Sequence, residues 1–239
     1  YGWENGTDND YTNDLYRNNT LQDPGRNGEF WNREHTYARS LGTPNLETND
    51  ENGGLAPNAD AHHLRAADKE RNANRGNLLF AAGSGNSKSV SGGWYPGDQW
   101  KGDVARMMMY MYVRYGTRCL PTNVGVGSPA NTPDAMIDLF LTWNAQDPVS
   151  EIEIQRNNYL ANANNEFGQG NRNPFIDNPY LATKIWGGTP AQDTWGTLSL
   201  NPAEPIVYKV KIYPNPSNGN FVIQSQEVIK KVIIYNLSG

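Results

Sequence analysis

The chain has one cysteine, Cys119, among its 239 residues. An intramolecular disulfide is therefore excluded, and the fold must rest on packing and hydrogen bonds. Nowhere do eighteen apolar residues run together, so no segment suits a membrane-spanning helix. The start shows no basic stretch followed by an apolar one, as a signal peptide would. It begins with Tyr1 rather than Met, so an upstream piece, with any signal peptide, is expected to have been removed or never captured. Lysine is missing from the first 60 residues, which hold eleven Asp or Glu against four Arg.

Apolar residues are also scarce, at 37%, whereas Gly, Asn, Asp and Pro are abundant. That balance predicts long loops and turns around a modest core. The length suffices for one good-sized core, or one core with a small appendage. The formal net charge of −5 argues at first against a nucleic-acid partner. Its distribution reopens the question. Residues 62–77 set Arg65, Lys69, Arg71 and Arg75 against Asp68 and Glu70, and residues 101–118 set Lys101, Arg106, Arg114 and Arg118 against Asp103 alone. An acidic protein with basic islands still binds phosphates, with weak and salt-sensitive affinity.

Periodicity and turn residues outline the elements. Glu29–Arg39 reads as extended, 42–59 as a surface loop and Asp60–Leu64 as a second strand. A helix over Ala66–Asn74 follows, stopped by Gly76. Val104, Met107, Met108, Met111, Tyr112 and Tyr115 recur at helical spacing over 102–116, and Gly116 ends that run. This is a core stripe, with Cys119 a buried, inert thiol beyond its end. Another helix spans Ala135–Gln146, and a third opens at Asp147-Pro148, with Asp147 as N-cap and Glu151 in the first turn. Residues 171–177 are too rich in turn formers to continue it. After a linker at 187–205, alternation at 207–213, a turn cluster at 214–220 and strands near 221–224 and 228–235 predict a short all-β module.

The chemistry concentrates in Asn32-Arg33-Glu34-His35, Asp60-Ala61-His62-His63-Leu64-Arg65 and Arg71-Asn72-Ala73-Asn74-Arg75-Gly76-Asn77. A carboxylate, an adjacent histidine, a carboxamide and several guanidiniums are the parts needed to hold a hard cation, deprotonate a water and grip a phosphate. In isolation, a Glu-His pair is more often a solvated carboxylate and a satisfied polar ring. Adjacent residues of an ideal strand face opposite sides. Glu34 and His35 can thus serve one phosphate only through a twist or bulge, or if ion and water approach from different directions. The pair His62–His63 lacks the Cys or third His that tetrahedral zinc requires.

Trp31-Asn32-Arg33-Glu34-His35, Asp60-Ala61-His62-His63-Leu64-Arg65 and Asn72-Ala73-Asn74-Arg75-Gly76-Asn77 together resemble the bacterial endonuclease I / extracellular nuclease family of ββα-metal (His-Me finger) nucleases. Lys101–Arg106, Trp143 with Asp147-Pro148-Val149, and Asn171–Asp177 continue the likeness in order, over roughly residues 1–185. The resemblance implies an α+β fold with a ββα-metal core, and secreted cleavage of DNA, with RNA as a second substrate, at little sequence preference. It implies Glu34 and Asn72 as ligands of Mg²⁺ (Mn²⁺ or Ca²⁺ as alternatives) and His35 as general base. Arg75 and Asn77 would support the site or touch phosphate. Some relatives place an arginine in the loop joining the two strands, but residues 41–59 contain neither Arg nor Lys. Its role would pass to Arg33, Arg39, Arg65 or Arg106, or be absent. A monomer is implied.

Tyr213–Phe221 with Ile234–Gly239 resembles the C-terminal sorting domain of type IX secretion substrates. It implies export through that machinery and a signal continuing past Gly239. The expected organisation is a nuclease domain over 1–186, a linker at 187–205 and a partial sorting domain over 206–239. The competing reading is a secreted adhesin on an inactivated nuclease scaffold, favoured by low basic charge and the missing loop arginine.

Overall fold

The computed structural model describes residues 31–46, 57–129, 132, 134–196, 211–213, 219–225, 228–229 and 231–232. The expectations for 1–30, 47–56, 197–210, 214–218 and 233–239 lie outside the described residues. The chain divides into two compact units, Tyr1–Ser199 and Leu200–Gly239.

The larger unit is mixed α+β. Strand β1 (Trp31–His35) pairs antiparallel with β2 (Leu64–Asp68) in unbroken register from Trp31↔Asp68 to His35↔Leu64. Strand β2 starts later than its composition suggests. Asp60 accepts the N–H of His62 at 2.9 Å and nucleates a 3₁₀ turn over Ala61–His63. His62 and His63 therefore sit in a turn, not on the strand, and the chain becomes extended only at Leu64. Helix α1 (Lys69–Arg75) follows directly, because the Asp68 side chain accepts the N–H of Arg71 at 2.8 Å. Gly76 stops it at φ 52°, a conformation that costs a residue without Cβ nothing.

Helix α2 (Lys101–Tyr115) is the spine of the core, burying Val104, Met107, Met108, Met109 and Met111. Burial of each such side chain contributes about 1.5–3 kcal/mol, so this stripe orders the unit around it. Helix α3 (Asp138–Gln146) lays Phe140 and Trp143 against it. It begins three residues later than its composition suggests, with Met136 and Ile137 buried in an extended lead-in. A hairpin that periodicity did not reveal, β3 (Lys88–Val90) and β4 (Gly93–Tyr95), adds Trp94 and Tyr95 to the same cluster. Cys119 lies buried in the turn after α2, and burial pushes its thiol up to about 12.

Helix α4 (Glu151–Ala161) starts from Ser150, not Asp147. Ser150 and Glu153 form a reciprocal capping box, which satisfies two end donors where Asp147 would satisfy one. The Asp147 carboxylate instead accepts the N–H of Gly102 at 2.8 Å, capping the first turn of α2 from a distant part of the chain. Arg106 joins α2 to α4 by donating to both Glu153 oxygens at 2.7 and 2.6 Å, and it is fully buried. Within 171–177, Asn173 caps a one-turn helix α5 (Pro174–Asp177), with α6 (Tyr180–Trp186) after it. In the second unit, β5 (Lys211–Tyr213) pairs with β6 (Val222–Gln224). Of the further strand expected near 228–235, only 228–229 and 231–232 are described, and these carry no strand pairing among the described residues.

Candidate active site

Alternation along the β1–β2 ladder sorts the side chains. Glu34, Arg65 and Ala67 are buried on the inward face, while Arg33 is exposed and His35 half-buried on the other. Glu34 does not face the interior unpaired. Arg75 reaches up from the last turn of α1 and donates to Glu34 Oε1 at 2.6 Å, to the carbonyl of His35 at 3.2 Å and to that of Thr36 at 3.1 Å. Its guanidinium also lies 4.6 Å from the centre of the Phe80 ring. A buried charge pair is tolerable only with such additional hydrogen bonds. Arg75 thus stands behind the carboxylate, fixing its orientation.

Asn72, one turn earlier on α1, donates weakly to the carbonyl of Arg33 at 3.5 Å. It thereby lies over β1. A groove of about 340 Å³ is bordered by Glu34, His35 and Asn72, with Arg33, Arg39 and Asn77 around it. No bulge interrupts the ladder, so Glu34 and His35 do not reach this groove by strand distortion. The groove meets them from different directions, with Asn72 contributed by the helix. Arg65 is 4% exposed and donates to the carbonyl of Leu64. Arg106 is committed to Glu153. Burial withdraws both from the groove, which leaves Arg33 and Arg39 as the guanidiniums on it.

His35 Nε2 lies 3.0 Å from the carbonyl oxygen of Asn58. A carbonyl only accepts, so Nε2 carries the proton and the basic lone pair of the neutral ring is at Nδ1. Asn58 sits in a 3₁₀ turn, Pro57–Ala59, that is held from beneath. His63 Nε2 donates to the carbonyl of Pro57 at 2.8 Å, and its ring stands edge-on to His35 with centroids 5.6 Å apart. His63 is fully buried, and burial, reinforced by the neighbouring His35, pushes its pKa down to about 3. It is a neutral ring.

Asp60 anchors the whole turn. Its carboxylate accepts from the N–H of His62, from Gln169, and from the hydroxyls of Tyr110 and Tyr115 on α2, all at 2.7–3.0 Å. Burial alone would push this carboxyl up. The bonds from Tyr115, His62, Gln169 and Tyr110 outweigh it and hold the group below its ordinary value. Arg156 of α4 adds bonds to the carbonyls of Ala61 and Leu64 at 2.6 and 2.8 Å. His62 is bonded through Nε2 to the carbonyl of Asn171 at 3.1 Å. Asp60, His63 and Arg156 escaped the sequence reading as supports of the site. The one available signal was an aspartate two residues before a histidine, the spacing of a side-chain cap.

Residues 4–180 match the family described as Endonuclease I. The chain belongs to the Endonuclease I family. Residues 211–239 match a second family, described as the Secretion system C-terminal sorting domain. Among the relatives of this family member is an extracellular ribonuclease of Bacillus amyloliquefaciens, 41% identical over 166 residues, which cover 65% of this chain and 54% of the relative. Another is an extracellular ribonuclease of Bacillus subtilis (strain 168), 40% identical over 186 residues, or 74% of this chain and 60% of the relative. The chain thus spans a little over half the length of these curated relatives. The sorting domain and the extracellular relatives make this Endonuclease I family member an extracellular protein.

Members of the family are typically metal-dependent. Among the described residues no three His, Cys, Asp or Glu side chains converge as a ligand cage. The donors at the groove fit a different kind of ion. Mg²⁺ keeps several waters and takes one or two protein oxygens, and a carboxylate and a carboxamide, Glu34 and Asn72, border the same groove.

Proposed function

We propose that the chain is a secreted endonuclease that hydrolyses phosphodiester bonds of DNA and RNA with little sequence preference. The observation that carries this reading is the convergence of Glu34, His35 and Asn72 on one groove, with His35 held in the Nε2–H tautomer. Strand, loop, strand and helix in the order β1, β2, α1 support a ββα-metal core. The extracellular ribonucleases among its relatives support RNA as a substrate beside DNA.

In this reading Glu34 and Asn72 hold one Mg²⁺, which when bound neutralises phosphate charge and stabilises the departing oxygen. Arg75 keeps the Glu34 carboxylate in place. His35 Nδ1 accepts a proton from a water in the groove. The resulting hydroxide attacks phosphorus, the P–O bond opposite breaks, and the leaving oxygen takes a proton from solvent. Arg33 and Arg39 provide the phosphate contacts that a loop arginine supplies in some relatives. Nothing in this arrangement reads base edges, so contacts fall mainly on the backbone. The organisation we infer is a nuclease domain over 1–186, a linker at 187–205 and a type IX sorting module over 206–239 that engages the secretion machinery.

A plasmid-nicking and RNA-cleavage assay with Mg²⁺, with EDTA and with His35→Ala tests the proposal. Cleavage in Mg²⁺ alone is expected. Full turnover in chelator would remove the ion from the reaction, and undiminished cleavage by the alanine variant would remove the base. A chain that binds polymer without cutting it under any of these conditions would be the adhesin instead.

A further inference from the structure

His63 takes no part in the reaction just described, yet it is a fully buried histidine beside the proposed base. Its Nε2 donates to the Pro57 carbonyl at 2.8 Å, while His35 Nε2 binds the next carbonyl, that of Asn58, at 3.0 Å. Two imidazoles, 5.6 Å apart and inclined at 61°, thus hold adjacent carbonyls of a single turn. The carbonyl of His63 also accepts the N–H of Thr36 at 3.0 Å, tying this turn to the residue that follows His35. His63 Nδ1 is buried with no hydrogen-bond partner. Leaving a buried acceptor unsatisfied is unfavourable, and a phenyl ring would fill the same space without that cost. A histidine there is explained by what its other nitrogen does.

We propose that His63 is a positioning residue for His35: by holding the Pro57 carbonyl it fixes the turn that presents the Asn58 carbonyl, and so sets the tautomer and ring orientation of the base. The inference rests on the role proposed above for His35. Because His63 stays neutral at working pH, it adds no like charge opposing the imidazolium formed when His35 takes the water proton. Asp60 and Arg156 hold the following turn, Ala61–His63, from which His63 reaches back to the Pro57 carbonyl, so what His63 transmits to His35 is orientation.

The test compares His63→Phe, which keeps bulk and loses the donor, with His63→Gln, which keeps a donor near the Nε2 position. Nitrogen-15 NMR reads the tautomers, and only three histidines need assigning. In the native protein both His35 and His63 are expected as Nε2–H. His63→Phe should average the His35 tautomers and lower kcat about tenfold or more, part of the roughly 10²–10⁴-fold that a positioned base supplies. KM for polymer and the Mg²⁺ concentration for half-maximal rate should not move. His63→Gln should restore most of kcat and the Nε2–H form. Native His35 in the Nδ1–H form would overturn the proposal. So would native kcat in a folded His63→Phe, or equal impairment of both variants, which would reduce His63 to packing. If the native chain cleaves neither DNA nor RNA, the nuclease reading fails, and the tautomer comparison still decides the positioning role. If His63→Phe does not fold, loss of the Nε2–H form in His63→Gln overturns it.

Discussion

Arg75 and Glu34 form a buried ion pair, Nη1 to Oε1 at 2.6 Å, between the last turn of a helix and the penultimate residue of a strand. The pair makes the carboxylate a fixed feature of the groove wall. Removing one partner of a buried pair leaves an uncompensated charge and costs about 3–5 kcal/mol. Arg75→Met is therefore expected to lower the thermal midpoint sharply and to raise the Mg²⁺ requirement of any activity that remains. Calorimetry with a Mg²⁺ titration checks this, and a variant with native stability would show that Glu34 does not depend on Arg75.

His35 is half-buried and its ring donates to the Asn58 carbonyl, so His35→Ala should lower stability by only about 1 kcal/mol, the net worth of one such bond. Its cleavage rate should fall by roughly 10²–10⁴-fold. Circular dichroism melts beside nicking rates make the comparison.

Among the arginines, position relative to the groove predicts the phenotype. Arg39→Ala should weaken cleavage and its salt dependence with little loss of stability, because Arg39 borders the groove. Arg65→Ala, with its side chain under the sheet, should instead lower stability. Rates at two ionic strengths and thermal midpoints for both variants separate these outcomes, and the reverse pattern would relocate the phosphate clamp.

The two buried histidines of the Ala61–His63 turn predict an acid response. Burial pushes His63 down to about 3 and His62 in the same direction, so the folded chain resists protons that the unfolded chain accepts. Between the ordinary histidine value near 6.5 and about 3, the unfolded state binds more protons, and stability must fall as pH falls through that window. His63→Gln should flatten the decline measured by urea unfolding at pH 7, 5 and 4.

Asp103 predicts the opposite slope. It is buried on α2, neither carboxylate oxygen has a hydrogen-bond partner, and burial, with the nearby Glu153 charge adding to it, raises its pKa well above the usual value. The folded form therefore binds the proton more tightly than the unfolded form, and this group costs stability as pH rises above about 4. Asp103→Asn should gain stability relative to native, with the gain larger at pH 8 than at pH 4.

How much of this was legible depended on how local the cause was. The strand holding Glu34 and His35, the Gly76 and Gly116 stops and the methionine stripe of α2 follow from spacing and backbone preference within a few residues. The start of β2 did not, because Asp60-Ala61-His62-His63 has the composition of an extended segment until the aspartate side chain is seen to close on the His62 amide. Asp147-Pro148 likewise has the look of a helix start, yet Ser150 and Glu153 satisfy more donors there, and Asp147 serves Gly102, 45 residues away in sequence. At the site, the residue types were readable and their standing was not. Nothing in the sequence tells Arg39 from Arg65 until the register puts Arg65 beneath the sheet and the turn after β1 puts Arg39 on the groove.

The Asp60 hub carries one more consequence, for portability. Every reactive group proposed for the groove comes from residues 33–77, a stretch short enough to be moved as a cassette into another scaffold. Its anchors come from elsewhere: Tyr110 and Tyr115 on α2, Arg156 on α4 and Gln169 beyond it. A transplanted cassette would carry all the reagents and leave behind the jig that aligns them. The smallest piece of this protein that is chemically whole is therefore set by the reach of the hydrogen bonds that hold the turn at Asp60, not by the span of its motif.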